Sequence, residues 1–180
     1  MSAQFDVVVI GAGPAGYVAA IRAAQLGLKT ACVEEWQTPK GEYVLGGTCL
    51  NVGCIPSKAM LESSEHFEAV TSKMVDHGIT ITGASFDLGK MLARKDAIVG
   101  KMTKGIDYLF RKNKVTWLKG HGRLGARNEH GWQVTVGEEA VAARFVIIAT
   151  GSKARHLPGV TVDQKLVCDN IGALAFSTVP

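Results

Sequence analysis

A chain of 180 residues, 47% hydrophobic and 20% charged, is long enough for one globular domain or slightly more, with a core that needs no covalent staples. Its net charge of +4 comes from 20 basic against 16 acidic residues scattered without a long run, which argues against a nucleic-acid partner. No stretch approaches the roughly 18 apolar residues of a membrane span, and residues 1–4 lack the basic region of a signal peptide, so no membrane is implied and a reducing cytoplasm is the expected compartment.

In chain order, the β-branched run at 5–10 predicts a buried parallel strand, followed by a glycine turn at 11–16. Residues 15–26 are Ala-rich with helical spacing, and Gly27 stands where a helix ends. Residues 30–34 predict a second strand, and 37–47 a polar loop. A long helical stretch is expected within 49–70, with Pro56 near its start. After a turn-rich connection at 77–89, residues 90–112 predict another long helix. Its expected packing face carries Met91, Ala97, Ile98, Met102, Ile106 and Leu109. A short strand at 115–118 precedes an alternating, glycine-punctuated stretch at 120–144 that reads as a small antiparallel meander. Residues 145–149 predict a further buried parallel strand ending in Thr150-Gly151-Ser152, and the remainder to 180 has no strong periodicity. The fold expected is α/β and Rossmann-like, of FAD/NAD-binding type, with a parallel sheet and an inserted three-stranded antiparallel meander.

Gly11-Ala12-Gly13-Pro14-Ala15-Gly16 fits G-x-G-x-x-G and stands between a predicted strand and a predicted helix, the context in which the pattern carries weight. Gly11 allows the tight turn, Gly13 lets main chain approach a pyrophosphate, and Gly16 lets helix and strand pack closely. The helix N-terminus then offers free N–H groups and a positive dipole end to the phosphates. Glu34, about 20 residues on, is placed to accept hydrogen bonds from ribose hydroxyls and to repel a 2′-phosphate. Glu35 is the alternative acid if the strand ends one residue later.

Cys49 and Cys54 are separated by four residues. In a regular helix that spacing is too wide for a disulfide, so a bridge would require a distorted turn. Gly53 supplies freedom there, and Pro56 disfavours helical angles at Ile55. A strained bridge is easily reduced, and a thiol at a helix N-terminus ionises readily, with Lys58 adding positive charge nearby. Redox chemistry is the preferred reading. A structural disulfide, half of a zinc site whose other ligands are not evident nearby, and two inert buried thiols remain alternatives, and no metal site is otherwise suggested.

The run Gly46-Gly47-Thr48-Cys49-Leu50-Asn51-Val52-Gly53-Cys54-Ile55-Pro56-Ser57-Lys58 resembles the redox-active disulfide motif of the pyridine nucleotide–disulfide oxidoreductases. The likeness extends to Gly11–Gly16, Gly120-His121-Gly122, Ala149–Ser152 and Gly172-Ala173-Leu174, and so covers essentially the whole chain. It is closest to the dihydrolipoamide-oxidising branch. The resemblance implies that protein-bound dihydrolipoamide attacks Cys49, that Cys54 lies against the FAD ring, that Lys58 sits near the flavin's reactive nitrogen, and that NAD+ finally takes the hydride. It also places Thr48, Gly122, Thr150, Gly151 and Ser152 among the FAD contacts. The implied partners are the lipoyl domains and core acyltransferase of 2-oxo acid dehydrogenase complexes, with a homodimer in the full-length parent. Mercuric and glutathione reductases share the cysteine spacing. Glutathione reductases tend to read Pro-Lys-Lys where Pro56-Ser57-Lys58 stands, whereas mercuric reductase stays open.

Family members are far longer. Residues 1–152 are therefore expected to form the N-terminal part of an FAD-binding domain, and 153–180 the connection toward an NAD-binding domain. The isolated chain is expected to lack turnover, and a non-catalytic FAD-binding or interaction fragment is the rival reading. Other residues read as bland: Cys32 as core, Cys168 as outside any motif, and the methionines at 60, 74, 91 and 102 as helix packing. The pairs Arg94-Lys95 and Arg111-Lys112 read as solvated faces, and His66, His77, His121, His130 and His156 as surface residues.

Overall fold

The computed structural model describes residues 3–179. Its main chain separates into two compact units. The first comprises Met1–Leu50 and Met102–Lys153, the second Asn51–Lys101 and Ala154–Pro180.

The first unit is built on a six-stranded sheet in the order β3-β2-β1-β6-β5-β4. Strand β1 (Gln4–Ile10) has Val8 and Val9 fully buried, which suits a strand covered on both faces. The chain crosses through α1 (Pro14–Gln25) and returns as β2 (Thr30–Glu34), parallel to β1 with Val9 opposite Cys32. Helix α1 turns Gly16, Ala20 and Ala23 inward, side chains small enough to bring its axis close to the strands. It stops at Leu26, and Gly27 follows at φ +85°, a left-handed position that glycine occupies without strain. Strand β3 (Thr116–Lys119) adds to β2 in parallel.

On the other side of β1 the expected meander is present as β4 (Gly122–Asn128), β5 (Gly131–Val136) and β6 (Glu139–Ile148). Its third strand and the parallel strand expected at 145–149 prove to be one continuous strand. Ala142 and Ala143 of β6 pair antiparallel with Gln133 and Trp132 of β5, and parallel with Gln4 and Phe5 of β1. Meander and parallel sheet are thus welded through two residues small enough to lie between both neighbours. The expectation of burial at 145–149 is corrected. Phe145, Ile147 and Ile148 are 53%, 39% and 65% exposed, because β5 parts from β6 after Ala143 and leaves that half paired only with β1.

Helix α2 (Gly47–Val52) is followed by α3 (Cys54–Glu68) after a break at Gly53, whose φ −134° and ψ −118° lie far from helical values. The expected distortion between the cysteines is therefore located at the glycine. Ile55, by contrast, is helical, which corrects the reading that Pro56 would hold it out. Pro56 sits in the first turn of α3, where its missing N–H is one of the groups a helix leaves unpaired anyway.

In the second unit α3 continues through a π turn (Ala69–Lys73) and a 3-10 turn (Met74–His77) to Gly78 at φ +74°. Arg94 of α4 (Leu88–Lys112) donates to the carbonyl of Ala59 at 2.9 Å and pairs with Glu62, fastening α4 to α3. Phe67 and Phe86 meet edge to face at 5.3 Å.

The face expected for α4 needs rotation. Ile106 is buried as expected, but Met102 and Leu109 are about two-fifths exposed while Phe110 is fully buried. Lys95 is also buried. Its Nζ donates to the carbonyl of Leu174 and pairs with Asp96 at 3.1 Å, so a residue expected on a solvated face ties down the segment after 154.

Candidate functional site

The glycine turn is locked by main chain. Gly11 donates to Val33 at 2.8 Å, Ala149 donates to Ile10, and Gly46 donates to Ala12 at 2.9 Å. A Cβ on Gly11, at φ +100°, would stand 2.3 Å from the Ala149 carbonyl oxygen. One on Gly16 would stand 1.8 Å from the Gly11 oxygen, and one on Gly47 2.7 Å from Gly13 Cα. Gly13 is different: its Cβ would meet nothing closer than 3.9 Å. Bareness at Gly13 leaves main chain open to approach, whereas at Gly11 it permits the positive φ and close main-chain contact of the turn, and at Gly16 close packing onto that turn.

Above this turn lies a cavity of ≈ 480 Å³ at the C-terminal ends of β1, β2 and β6, the place where open parallel sheets take their ligands. Gly11, Gly13 and Pro14 form its floor. Thr48 and Cys49 enter from the cysteine motif, Gly122 from the meander, and Thr150, Gly151 and Ser152 from the end of β6. Thr48 donates its hydroxyl to the carbonyl of Ser152 at 3.3 Å, joining two of these walls. Helix α1 starts at Pro14 with no side chain capping it, so its first turn borders the cavity with uncapped N–H groups. A cradle floored by bare glycine and a helix N-terminus fits the pyrophosphate of a dinucleotide.

Glu34 lines the cavity but does more than face a ligand. Its Oε2 accepts the N–H of Ala12 at 2.9 Å, and its Oε1 accepts those of Glu35 and Trp36, each at 2.9 Å. The residue is buried, at 7% exposure. It therefore holds the glycine turn to the end of β2 and retains limited capacity for a ribose.

The sequence names Glu35 as an alternative acid but does not show the group it forms. Glu35 accepts from His121 Nδ1 at 2.5 Å and pairs with Lys153 Nζ at 3.5 Å, and all three side chains line the same cavity. The His121 hydrogen bond, helped by Lys153, holds the Glu35 carboxyl below the usual range although burial acts in the opposite direction. His121 was expected to be bland; the signal available was its place between two glycines at the end of a strand.

Cys54 and Lys58 lie in the second unit, both exposed on α3, with Cys54 as its first residue. No disulfide is present among the described residues. Nor does any group of three or more His, Cys, Asp or Glu side chains among them form a metal site. Cys32 is core, as expected, and burial, reinforced by the charge of Glu34, pushes its thiol far up. No helix of the described residues is long and apolar enough to cross a membrane.

The chain from 5 to 180 matches the family model described as pyridine nucleotide-disulphide oxidoreductase. The chain belongs to this family. It is 65% identical to a dihydrolipoyl dehydrogenase of Cupriavidus necator over 182 aligned positions, covering 100% of the chain and 38% of that protein. It is 50% identical to a leghemoglobin reductase of Glycine max, covering 99% of the chain and 33% of the relative. A mitochondrial dihydrolipoyl dehydrogenase of Pisum sativum is 48% identical, with 99% and 35% covered. The chain thus spans between a third and two-fifths of the length of these relatives.

Proposed function

We propose that this chain supplies the FAD-binding and redox-dithiol part of an enzyme that oxidises protein-bound dihydrolipoamide with NAD+. The observation that carries the reading is the meeting of Thr48 and Cys49 with the bare-glycine cradle in one cavity. Residues 1–152 are the N-terminal part of the FAD domain, and 153–180 lead toward an NAD-binding domain.

Gly11, Gly13 and Gly16 shape the cradle, Gly13 and the start of α1 face the pyrophosphate, and Glu34 orients the adenosine ribose. Gly122 and Thr150–Ser152 line the adenine and pyrophosphate side, with Thr48 closing the wall. A thiolate of the substrate attacks Sγ of Cys49 in a Cys49–Cys54 disulfide, and Cys54 leaves as thiolate. The second substrate sulfur then displaces Cys49, releasing the cyclic disulfide and leaving two electrons on the cysteine pair. Bound FAD supplies the two-electron acceptor that relays them to NAD+. Lys58 keeps positive charge near Cys54 and the flavin. The partners are lipoyl domains and the core acyltransferase of a 2-oxo acid dehydrogenase complex, the whole protein is a homodimer, and a reducing cytoplasm is its setting.

The test is a visible spectrum of the chain mixed with FAD, desalted, and then treated anaerobically with a dithiol. Retained flavin with a new long-wavelength band is expected. A colourless protein overturns the claim that this part holds FAD. In the whole protein, Cys54→Ser is expected to keep flavin and fold while ending dithiol oxidation; unfolding instead would make the pair structural.

A further inference from the structure

The break between α2 and α3 creates a specific deficit. Were 47–68 one helix, the carbonyl of Val52 would accept from the N–H of residue 56. That residue is Pro56, which has none. Val52 is the last residue of α2, midway along the segment that links Cys49 to Cys54. Its carbonyl is met instead by the side-chain amide of Asn170, at 2.7 Å and 118 positions away in sequence.

Asn170 is held to that task. It opens the short helix α5 (Asn170–Ala173), where Asp169 Oδ1 accepts from Ile171 N at 2.9 Å and Gln164 Oε1 accepts from Gly172 N at 3.1 Å. At the other end, buried Lys95 donates to the Leu174 carbonyl at 2.9 Å. The remainder of the 154–180 segment has little regular structure, and α5 is its one helix among the described residues.

We propose that Asn170 is a positioning residue for the redox pair: by supplying the donor that Pro56 cannot, it pins the Cys49–Cys54 linking segment and favours disulfide closure. The inference rests on the dithiol reading above. Pinning Val52 removes conformational freedom that the open dithiol would otherwise keep, which raises the effective concentration of each sulfur at the other. Closure by glutathione disulfide removes two electrons and two protons from the cysteine pair, forms one S–S bond, and yields two glutathione thiols.

The experiment equilibrates the protein in glutathione buffers of graded ratio, quenches with acid, and counts the Cys49–Cys54 bridge by alkylation and mass spectrometry. Asn170→Asp keeps the shape and removes the amide donor; Asn170→Ala removes both. Asn170 is exposed, so neither change opens a core cavity. The exchange constant is expected to move toward the dithiol by roughly three- to tenfold in both variants, the size of one net hydrogen bond. A tie that is merely structural lowers the stability of bridged and open forms alike and leaves the constant where it was. Values within about twofold of the parent, with the bridge forming normally, overturn the role of Asn170 alone. A parent that forms no Cys49–Cys54 bridge at any ratio overturns the dithiol reading and this inference with it.

Discussion

Glu34 Oε2 accepts the main-chain N–H of Ala12 at 2.9 Å, so the acid at the end of β2 is a structural part of the glycine turn. An acid read from the sequence as a ribose ligand is also the strut beneath the phosphate cradle. Glu34→Ala leaves three N–H groups short of an acceptor, two of them at partly exposed positions. We expect a loss of about 1–3 kcal/mol in denaturant unfolding, together with weaker FAD retention. Unchanged stability would show that water replaces the carboxylate at no cost.

Gly16 and Gly105 make a paired test of glycine. Alanine at Gly16 drives a Cβ to 1.8 Å from the Gly11 oxygen, so the turn must shift; about 1–3 kcal/mol of stability should go, and flavin retention with it. Alanine at Gly105, inside α4 with nothing within 4 Å, should instead add about 0.5–1 kcal/mol. Thermal melts of the two variants, read side by side, decide whether the requirement belongs to the turn.

The Glu35 carboxyl should titrate below the usual carboxylate range, chiefly because His121 hydrogen-bonds to its ionised form. Since the folded value is lowered, its contribution to stability is complete above the unfolded value and is lost as pH falls through the folded one. Carbon-detected NMR titration of the side chain checks this. His121→Ala should move the transition back up, and no movement would mean Lys153 alone sets it.

Cys32 and Cys54 should differ sharply toward an alkylating agent. Cys32 is fully buried and its thiol is pushed up by burial, whereas Cys54 is exposed at the start of α3. In the reduced, folded protein, iodoacetamide at pH 8 is expected to label Cys54 and to spare Cys32 until the chain is unfolded. Peptide mapping by mass spectrometry reads both positions in one sample.

The first half of the sheet was legible because its signals are local. The run at 5–10, the glycines at 11, 13 and 16, and the strand ending at Glu34 each constrain main chain within a few residues. The face of α4 was misplaced for the opposite reason: apolar spacing alone could not choose between Met102 and Phe110. Lys95 read as solvated because its partner, the Leu174 carbonyl, is 79 residues away. The role of His121 was not legible because it meets Glu35, which Lys153 also pairs with, only once β3, β2, β1 and β6 are assembled in one sheet.

The sequence by itself determined the local features: a turn that needs glycine at Gly11 and Gly16, two cysteines five positions apart, and a family likeness covering the whole chain. Tertiary structure alone decided the assignments that depend on long-range hydrogen bonds. It made β6 one strand serving both the meander and the parallel sheet. It turned Glu34 back onto Ala12, and it brought Asn170 to the carbonyl that Pro56 leaves without a donor. The physical reason is that side-chain type and short-range spacing set what a residue can donate or accept, while the partner it finds is set by packing between segments far apart in the chain.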